Sequence, residues 1–174
     1  TGHPVIRSLS WDHPWDDYAD NIETQFLWGT GLMIIPALEE HIGKGKSFRG
    51  YFPKQVKWYD YETLTKVKVE DESDRECSYD LPLDKIVVAV RGENILPYHT
   101  KIGLSTSDQK DSPFGLIIAL SSAGTATGKL YWDDGETENT QVLGKYSLLS
   151  FEAKNGTLAS KLNHKGFTLK ELNE

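Results

Sequence analysis

Three groups of side chains in this sequence have the types and spacings from which chemistry is built. The segment Trp132-Asp133-Asp134-Gly135-Glu136, with Glu138 just beyond, crowds carboxylates into a turn after an aromatic strand end. Carboxylate oxygens are calcium ligands, but the spacing lacks the Asp-x-Asp-x-Asp-Gly order of an EF-hand loop. A charged hairpin is the simpler reading, with Asp134-Gly135 supplying the tight turn. The segment Gly43-Lys44-Gly45-Lys46-Ser47 resembles a phosphate loop in part, yet Glu40 stands where the motif needs its first glycine, and a carboxylate there repels phosphate. A flexible basic turn between strands accounts for it better. His3, His13, His41, His99 and His164 are too dispersed for a zinc site. With 26 acidic residues, carboxylate pairs of the kind glycosidases use occur throughout, and their separations cannot be read from sequence. No nucleophile elbow is present. These patterns therefore assign no catalytic residue, no metal site and no cofactor.

Composition narrows the classes that remain. A length of 174 residues suits one domain or two small ones, and 38% hydrophobic with 11% aromatic residues is enough for a packed core. A net charge of −7 argues against nucleic acid as a partner, because phosphates call for a basic face. Cys77 is the single cysteine, so no internal disulfide framework is expected; it is read as a free or buried thiol, with a partner cysteine in a longer polypeptide as the alternative. No apolar run approaches the roughly 18–20 residues of a membrane span, and the opening at Thr1 does not read as a signal peptide. Asn155-Gly156-Thr157 fits an N-glycosylation sequon and equally a hairpin turn, which makes Asn155 a candidate modification site.

The elements that must position these groups are mostly strands. Val5–Ser10 reads as a short strand after Pro4, followed by a polar and aromatic loop from Trp11 to Asp17. Asp20-Asn21-Ile22-Glu23 approximates a capping box, predicting a brief helix with Ile22, Phe26 and Leu27 on one face and Gly29 and Gly31 at its end. Beyond it the pattern is β: Leu32–Ile35, Phe48–Phe52, Val56–Tyr61, the alternating Lys66–Glu70, and the continuous core run Ile86–Val90 followed by Ile95-Leu96-Pro97. The acidic stretch Glu70–Glu76 reads as a solvated loop, and the polar stretch 98–112 as a linker. Strands at Phe114–Leu120, Lys129–Trp132, Tyr146–Phe151, Leu158–Leu162 and Phe167–Leu172, separated by turn signals, predict antiparallel sandwiches. The opening strand and helix look instead like the end of an α/β unit, with sheet partners elsewhere.

Several segments, taken in order, resemble the α-glucosidases of glycoside hydrolase family 31, in the branch that includes sucrase-isomaltase, maltase-glucoamylase and lysosomal α-glucosidase. They are Pro4–Leu9, Gln25–Leu38, Tyr51-Phe52-Pro53, Trp58–Tyr61, Arg91–Pro97, Gly115–Leu120 and Trp132–Glu136. Two departures concern turns: Glu93 and Leu64 stand where the family usually carries glycine, which tolerates a positive φ that these residues accept poorly.

The resemblance implies a mainly β fold, with one or more antiparallel β-sandwich domains following the last strand and helix of a truncated (β/α)8 barrel. It divides the chain into the end of a catalytic barrel (1–30), a proximal C-terminal β-sandwich (31–100), a linker (101–112) and a partial distal β domain (113–174). It implies a parent enzyme that hydrolyses terminal α-linked glucose in oligosaccharides by a retaining mechanism. The catalytic Asp pair would lie outside this chain, the barrel of the same protein would be its partner, and the secretory pathway its location. Arg7, Trp11 and Trp15 fall by the resemblance near the end of the last barrel strand, where barrel active sites open, and are expected at the substrate rim. The competing reading is a non-catalytic module that binds carbohydrate or protein; tryptophans exposed in a row on one sheet face would favour it, and a hydrophobic docking patch would favour the enzyme fragment.

Overall fold

A computed structural model describes residues 3–38, 47–69, 75–82, 84–110 and 112–166, apart from the side chain of residue 107. The predicted strand Phe167–Leu172, the Gly43–Lys46 part of the glycine-lysine turn and most of the acidic loop lie outside the described residues. The chain divides into two compact units, Thr1–Gly92 and Glu93–Glu174.

In the first unit, strand β1 (Ile6–Arg7) leads into a single helical turn, α1 (Leu9–Asp12), whose N-cap Ser8 accepts a hydrogen bond from the Trp11 amide at 3.3 Å. Strands β2 (Phe26–Trp28), β3 (Leu32–Ile35), β4 (Phe48–Tyr51), β5 (Trp58–Asp60), β6 (Glu76–Tyr79) and β7 (Val87–Arg91) follow. Five of them form an antiparallel sheet in the order β1-β2-β3-β7-β5, and β4 pairs with β6 in a separate ribbon. One sheet face carries Leu27, Met33, Ile35, Val87 and Ala89, and these pack against Phe48, Tyr51 and Cys77 of the ribbon. Two layers thus enclose one apolar core, which is a sandwich.

The helix predicted after Asp20 is absent. A 3-10 turn, Ala19–Asn21, takes its place, and Phe26–Trp28 is a strand. The pattern there has period two: Leu27 enters the core while Trp28 points away. Gly29, at φ 64°, turns the chain so that Trp28 lies opposite Leu32. The opening strand consequently has a sheet partner within this chain, since Ile6 and Arg7 pair with Trp28 and Leu27. Lys66–Val69 does not form the predicted strand either; it makes an isolated bridge from Lys66 to Tyr59. Cys77 is a buried free thiol, and its Sγ lies 3.4 Å from the Lys68 carbonyl.

Both departures from glycine hold the backbone that glycine would take: Leu64 sits at φ 56° and Glu93 at φ 75°. Left-handed backbone costs an L-residue roughly 1–2 kcal/mol. Leu64 is 59% exposed, with little packing to lose. Leu64→Gly is therefore expected to stabilise the first unit by about 1 kcal/mol, measured as a higher denaturation midpoint; an unchanged or lower midpoint would refute the strain.

The second unit contains β8 (Asn94–His99), α2 (Thr106–Gln109), β9 (Phe114–Ala119), β10 (Thr125–Trp132), α3 (Thr140–Leu143), β11 (Ser147–Lys154) and β12 (Thr157–His164), in a sheet ordered β12-β11-β10-β8-β9. Its pairs are antiparallel except for one parallel bridge between β10 and β8, Thr127 to Asn94. A side chain at Gly128 would place its Cβ 2.1 Å from the Ile95 carbonyl oxygen, so only glycine lets these two strands approach. Ile95, Ala126 and Ala153 form a small core with Leu116 and Phe151 against it. Asn155-Gly156 makes the two-residue turn between β11 and β12, both residues at positive φ, as a type I′ turn requires.

Asp134-Gly135 behaves differently from that turn. It does not join β10 to β11 as a two-residue hairpin, because α3 intervenes before β11 begins. The side chains of Asp133 and Asp134 capture the amides of Gly135, Glu136 and Thr137 and fold the segment on itself.

Candidate functional site

The predicted rim residues run from the end of β1 (Arg7) through α1 (Trp11) into the loop after it (Trp15). Arg7 and Asp12 form a nearly buried ion pair, with Nη1 2.8 and 3.1 Å from the two carboxylate oxygens. The pair ties the strand to the end of α1, and the Arg7 guanidinium is committed to it. Trp11 and Trp15 are 61% and 53% exposed. Beside them His13 is completely buried, edge-on to Trp15 at 5.7 Å and tilted against Trp58 at 6.2 Å. Neither of its ring nitrogens has a hydrogen-bond partner among the described residues. Burial, and after it the positive charge of Arg91, pushes the imidazole down to about 4, opposed by the nearby Asp12 and Asp16. His13 is therefore neutral at physiological pH.

Asp16 anchors the far end of the loop. It accepts a 2.6 Å bond from the Tyr51 hydroxyl and a 3.3 Å bond from the Lys54 amide. Burial and this carboxylate raise the Tyr51 phenol well above its ordinary range, so it stays protonated and donating. Gln25 completes the frame: its Nε2 donates to the Tyr51 carbonyl at 2.8 Å and its Oε1 accepts from the Tyr51 amide at 2.6 Å. A side-chain amide thus mimics a strand partner at the end of β4. Sequence reasoning gave neither Gln25 nor His13 a role: Gln25 opens a family-like segment but its partner Tyr51 is 26 residues on, and His13 stood only among the dispersed histidines.

A second feature lies on the other face of the first unit's sheet. Phe26, Leu32, Ile34 and Val88 form its floor, with Val5, Ile6, Trp28, Tyr61 and Ile86 around them, bounding an apolar depression of about 590 Å³. Ile6 is 65% and Trp28 56% exposed. A continuous apolar sheet face of this kind marks a contact surface. Of the five tryptophans, Trp28 alone stands exposed on a sheet face: Trp11 is in α1 and Trp15 in the loop after it, Trp58 is buried, and Trp132, at the end of β10, is half-buried. A row of tryptophans is not formed.

In the second unit the acidic segment borders an open cleft of about 490 Å³, lined among others by His99, Gln109, Lys110, Trp132, Asp133 and Glu136. Asp134 is held down to about 2, first by the Thr137 hydroxyl and then by the Thr137 and Glu136 amides. Its hydrogen bonds serve the loop's own backbone. No group of three or more His, Cys, Asp and Glu side chains among the described residues could hold a metal ion. Asn155, at the hairpin tip, is exposed.

Comparison with known proteins gives these features a context. The profile described as "Glycosyl hydrolase family 31 C-terminal domain" matches residues 2–96. "Glucoamylase 1" of Schwanniomyces occidentalis is 36% identical over 92% of this chain and 16% of its own length. "Lysosomal alpha-glucosidase" of Rattus norvegicus is 34% identical over 94% of this chain and 18% of its own. A crystal structure of glucosidase II alpha subunit bound to DNJ superposes with a TM-score of 0.82 at 27% identity, covering 97% of this chain and 18% of that one. The chain thus spans less than a fifth of the length of these proteins. With a profile matching residues 2–96, relatives more than 30% identical over nine-tenths of the chain and a superposition at TM-score 0.82, the chain belongs to glycoside hydrolase family 31, in which it corresponds to the C-terminal β region.

Proposed function

We propose that this chain is the C-terminal β region of an α-glucosidase that hydrolyses terminal α-linked glucose in oligosaccharides by a retaining mechanism, with the catalytic Asp pair outside these residues. Its task is to brace the catalytic barrel of the same protein. The apolar sheet face around Trp28 carries this reading: a depression floored by Phe26, Leu32, Ile34 and Val88 has nothing catalytic in it and is suited to receive an apolar domain surface. Residues 1–30, on this reading, lead from the barrel and lend β1 and β2 to the first of its two β domains, and the second takes in β8 and the strands that follow it. The lysosomal relative supports a location in the secretory pathway, where the exposed Asn155 sequon can carry a glycan.

The whole enzyme tests the brace. Ile6→Asp with Trp28→Asp places two charges on the face, and burying each unpaired charge costs several kcal/mol. Loss of glucose release together with a lower melting temperature is the expected result, and a wild-type melting temperature would refute docking through this face.

The rim role of Trp11 and Trp15 is a separate proposal, supported by their exposure beside the fixed Arg7–Asp12 pair. Their replacement by alanine in the full enzyme is expected to raise KM for maltose several-fold, on the order of 1 kcal/mol. Unchanged kinetics would remove them from the rim.

A further inference from the structure

The cleft in the second unit has a construction that neither the core nor the brace accounts for. Trp132 forms one wall. Its ring is fixed by Phe114, edge-on at 5.1 Å, and by His99 at 5.7 Å, so its plane is set before any ligand arrives. The Asp133 carboxylate is also set: one oxygen accepts from the Gly135 amide at 3.0 Å and the other from the Thr140 hydroxyl at 3.1 Å. Each oxygen keeps a further lone pair. Gln109 and Lys110, at the end of α2, bring donors to the cleft, and Lys110 reaches Glu136 only loosely, at 3.9 Å.

The lining selects among ligand classes. Asp133, Asp134 and Glu136 outnumber Lys110, so a phosphate or another anion is repelled. A cation finds no cluster of three ligating side chains among the described residues. A purely apolar ligand would strand the charged groups unpaired. A neutral polyhydroxyl compound matches each part. Its hydroxyls donate to Asp133 and Glu136 and accept from Gln109 and Lys110, and its C–H face lies on the Trp132 ring. The volume, about 490 Å³, is within the ordinary range of small-ligand pockets.

We infer that this cleft is a carbohydrate-binding site for a short neutral oligosaccharide, with Trp132 as the platform and Asp133, Glu136, Gln109 and Lys110 as hydrogen-bonding partners. It binds without turnover, and it stands on its own geometry rather than on the bracing role of the first unit.

Titration of the chain with maltotriose, followed by tryptophan fluorescence and by backbone and indole NMR, tests the site. The expected result is saturable binding with a Kd on the order of 1 mM, with shifts at the Trp132 indole, Gln109 and Gly135. Glu136→Gln with Gln109→Ala, both away from the core, should weaken binding about tenfold, equivalent to one lost charge-assisted contact. Trp132→Ala should abolish it; should that variant unfold, the rim double variant decides. A dispersed spectrum without saturable shifts, binding undiminished in the rim variant, or shifts confined to Trp11, Trp15 and Trp28 would each overturn the assignment. The brace is read by glucose release and melting of the whole enzyme, so the two ideas fail independently.

Discussion

Trp58→Ala will cost the first unit about 3–5 kcal/mol, the range for removing a buried aromatic side chain. Trp58 is only 2% exposed and packs edge-on to Phe52 at 6.1 Å. Its indole N–H donates to the Pro53 carbonyl at 3.3 Å, so truncation opens a cavity and orphans an acceptor together. The same cavity would lie against His13, whose ring rests on the indole. Domains of this size have about 5–15 kcal/mol to lose, so the variant will unfold at much lower denaturant. Trp11→Ala is the control: an exposed tryptophan of the same unit is expected to shift stability by less than about 0.5 kcal/mol. Equal losses for the two variants would mean that the core assignment around Trp58 is wrong.

The second large effect is a dependence on pH centred on His13. In the unfolded chain its imidazole titrates near 6.5, while in the folded unit it is pushed down to about 4. Above pH 6.5 it is neutral in both states and contributes no slope. Between 6.5 and 4 the unfolded chain binds a proton that the folded unit refuses, so stability falls as pH falls; below 4 both states are protonated and the loss is complete. The whole effect is on the order of 3 kcal/mol. It is isolated by subtracting the denaturation profile of His13→Phe, which keeps an aromatic ring in the site and cannot titrate. The wild-type-minus-variant difference should decline across that window. A flat difference would show that the histidine is not buried as a neutral ring.

How much of this was legible in the sequence depends on the kind of signal. Within Ile86–Val90 the core strand was readable from Val87 on, because an unbroken run of apolar, mostly β-branched residues leaves little alternative, while Ile86 lies before β7 and is exposed. That continuity also held a clue to the apolar face: strands β3 and β7 are apolar on both sides, so both sheet faces need a cover. The helix proposed near Asp20 failed because a cap-like quartet is a local signal, whereas Phe26–Trp28 answers to its pairing with β3 and β1. Asp134-Gly135 and Asn155-Gly156 carry the same turn signature, yet only the second is a two-residue hairpin. The difference lies in Asp133 and Asp134, whose side chains bind the following amides and extend the connection. The Gln25 clamp on Tyr51 spans 26 residues of sequence, and although each residue opens a family-like segment, no periodicity or local spacing links the two. At positions 64 and 93 the family's usual glycine pointed to positive φ, and Leu64 and Glu93 adopt it, against the expectation that they alter those turns.

The central claim is that these residues support catalysis and contain none of it. Release of glucose from maltose tests it most directly, measured for the chain alone and for the same residues joined to the catalytic barrel of their own enzyme. The account predicts no release above background from the chain alone and full activity from the joined protein, falling with Ile6→Asp and Trp28→Asp. Glucose released by the isolated chain would contradict it and would place a catalytic carboxylate pair within these 174 residues.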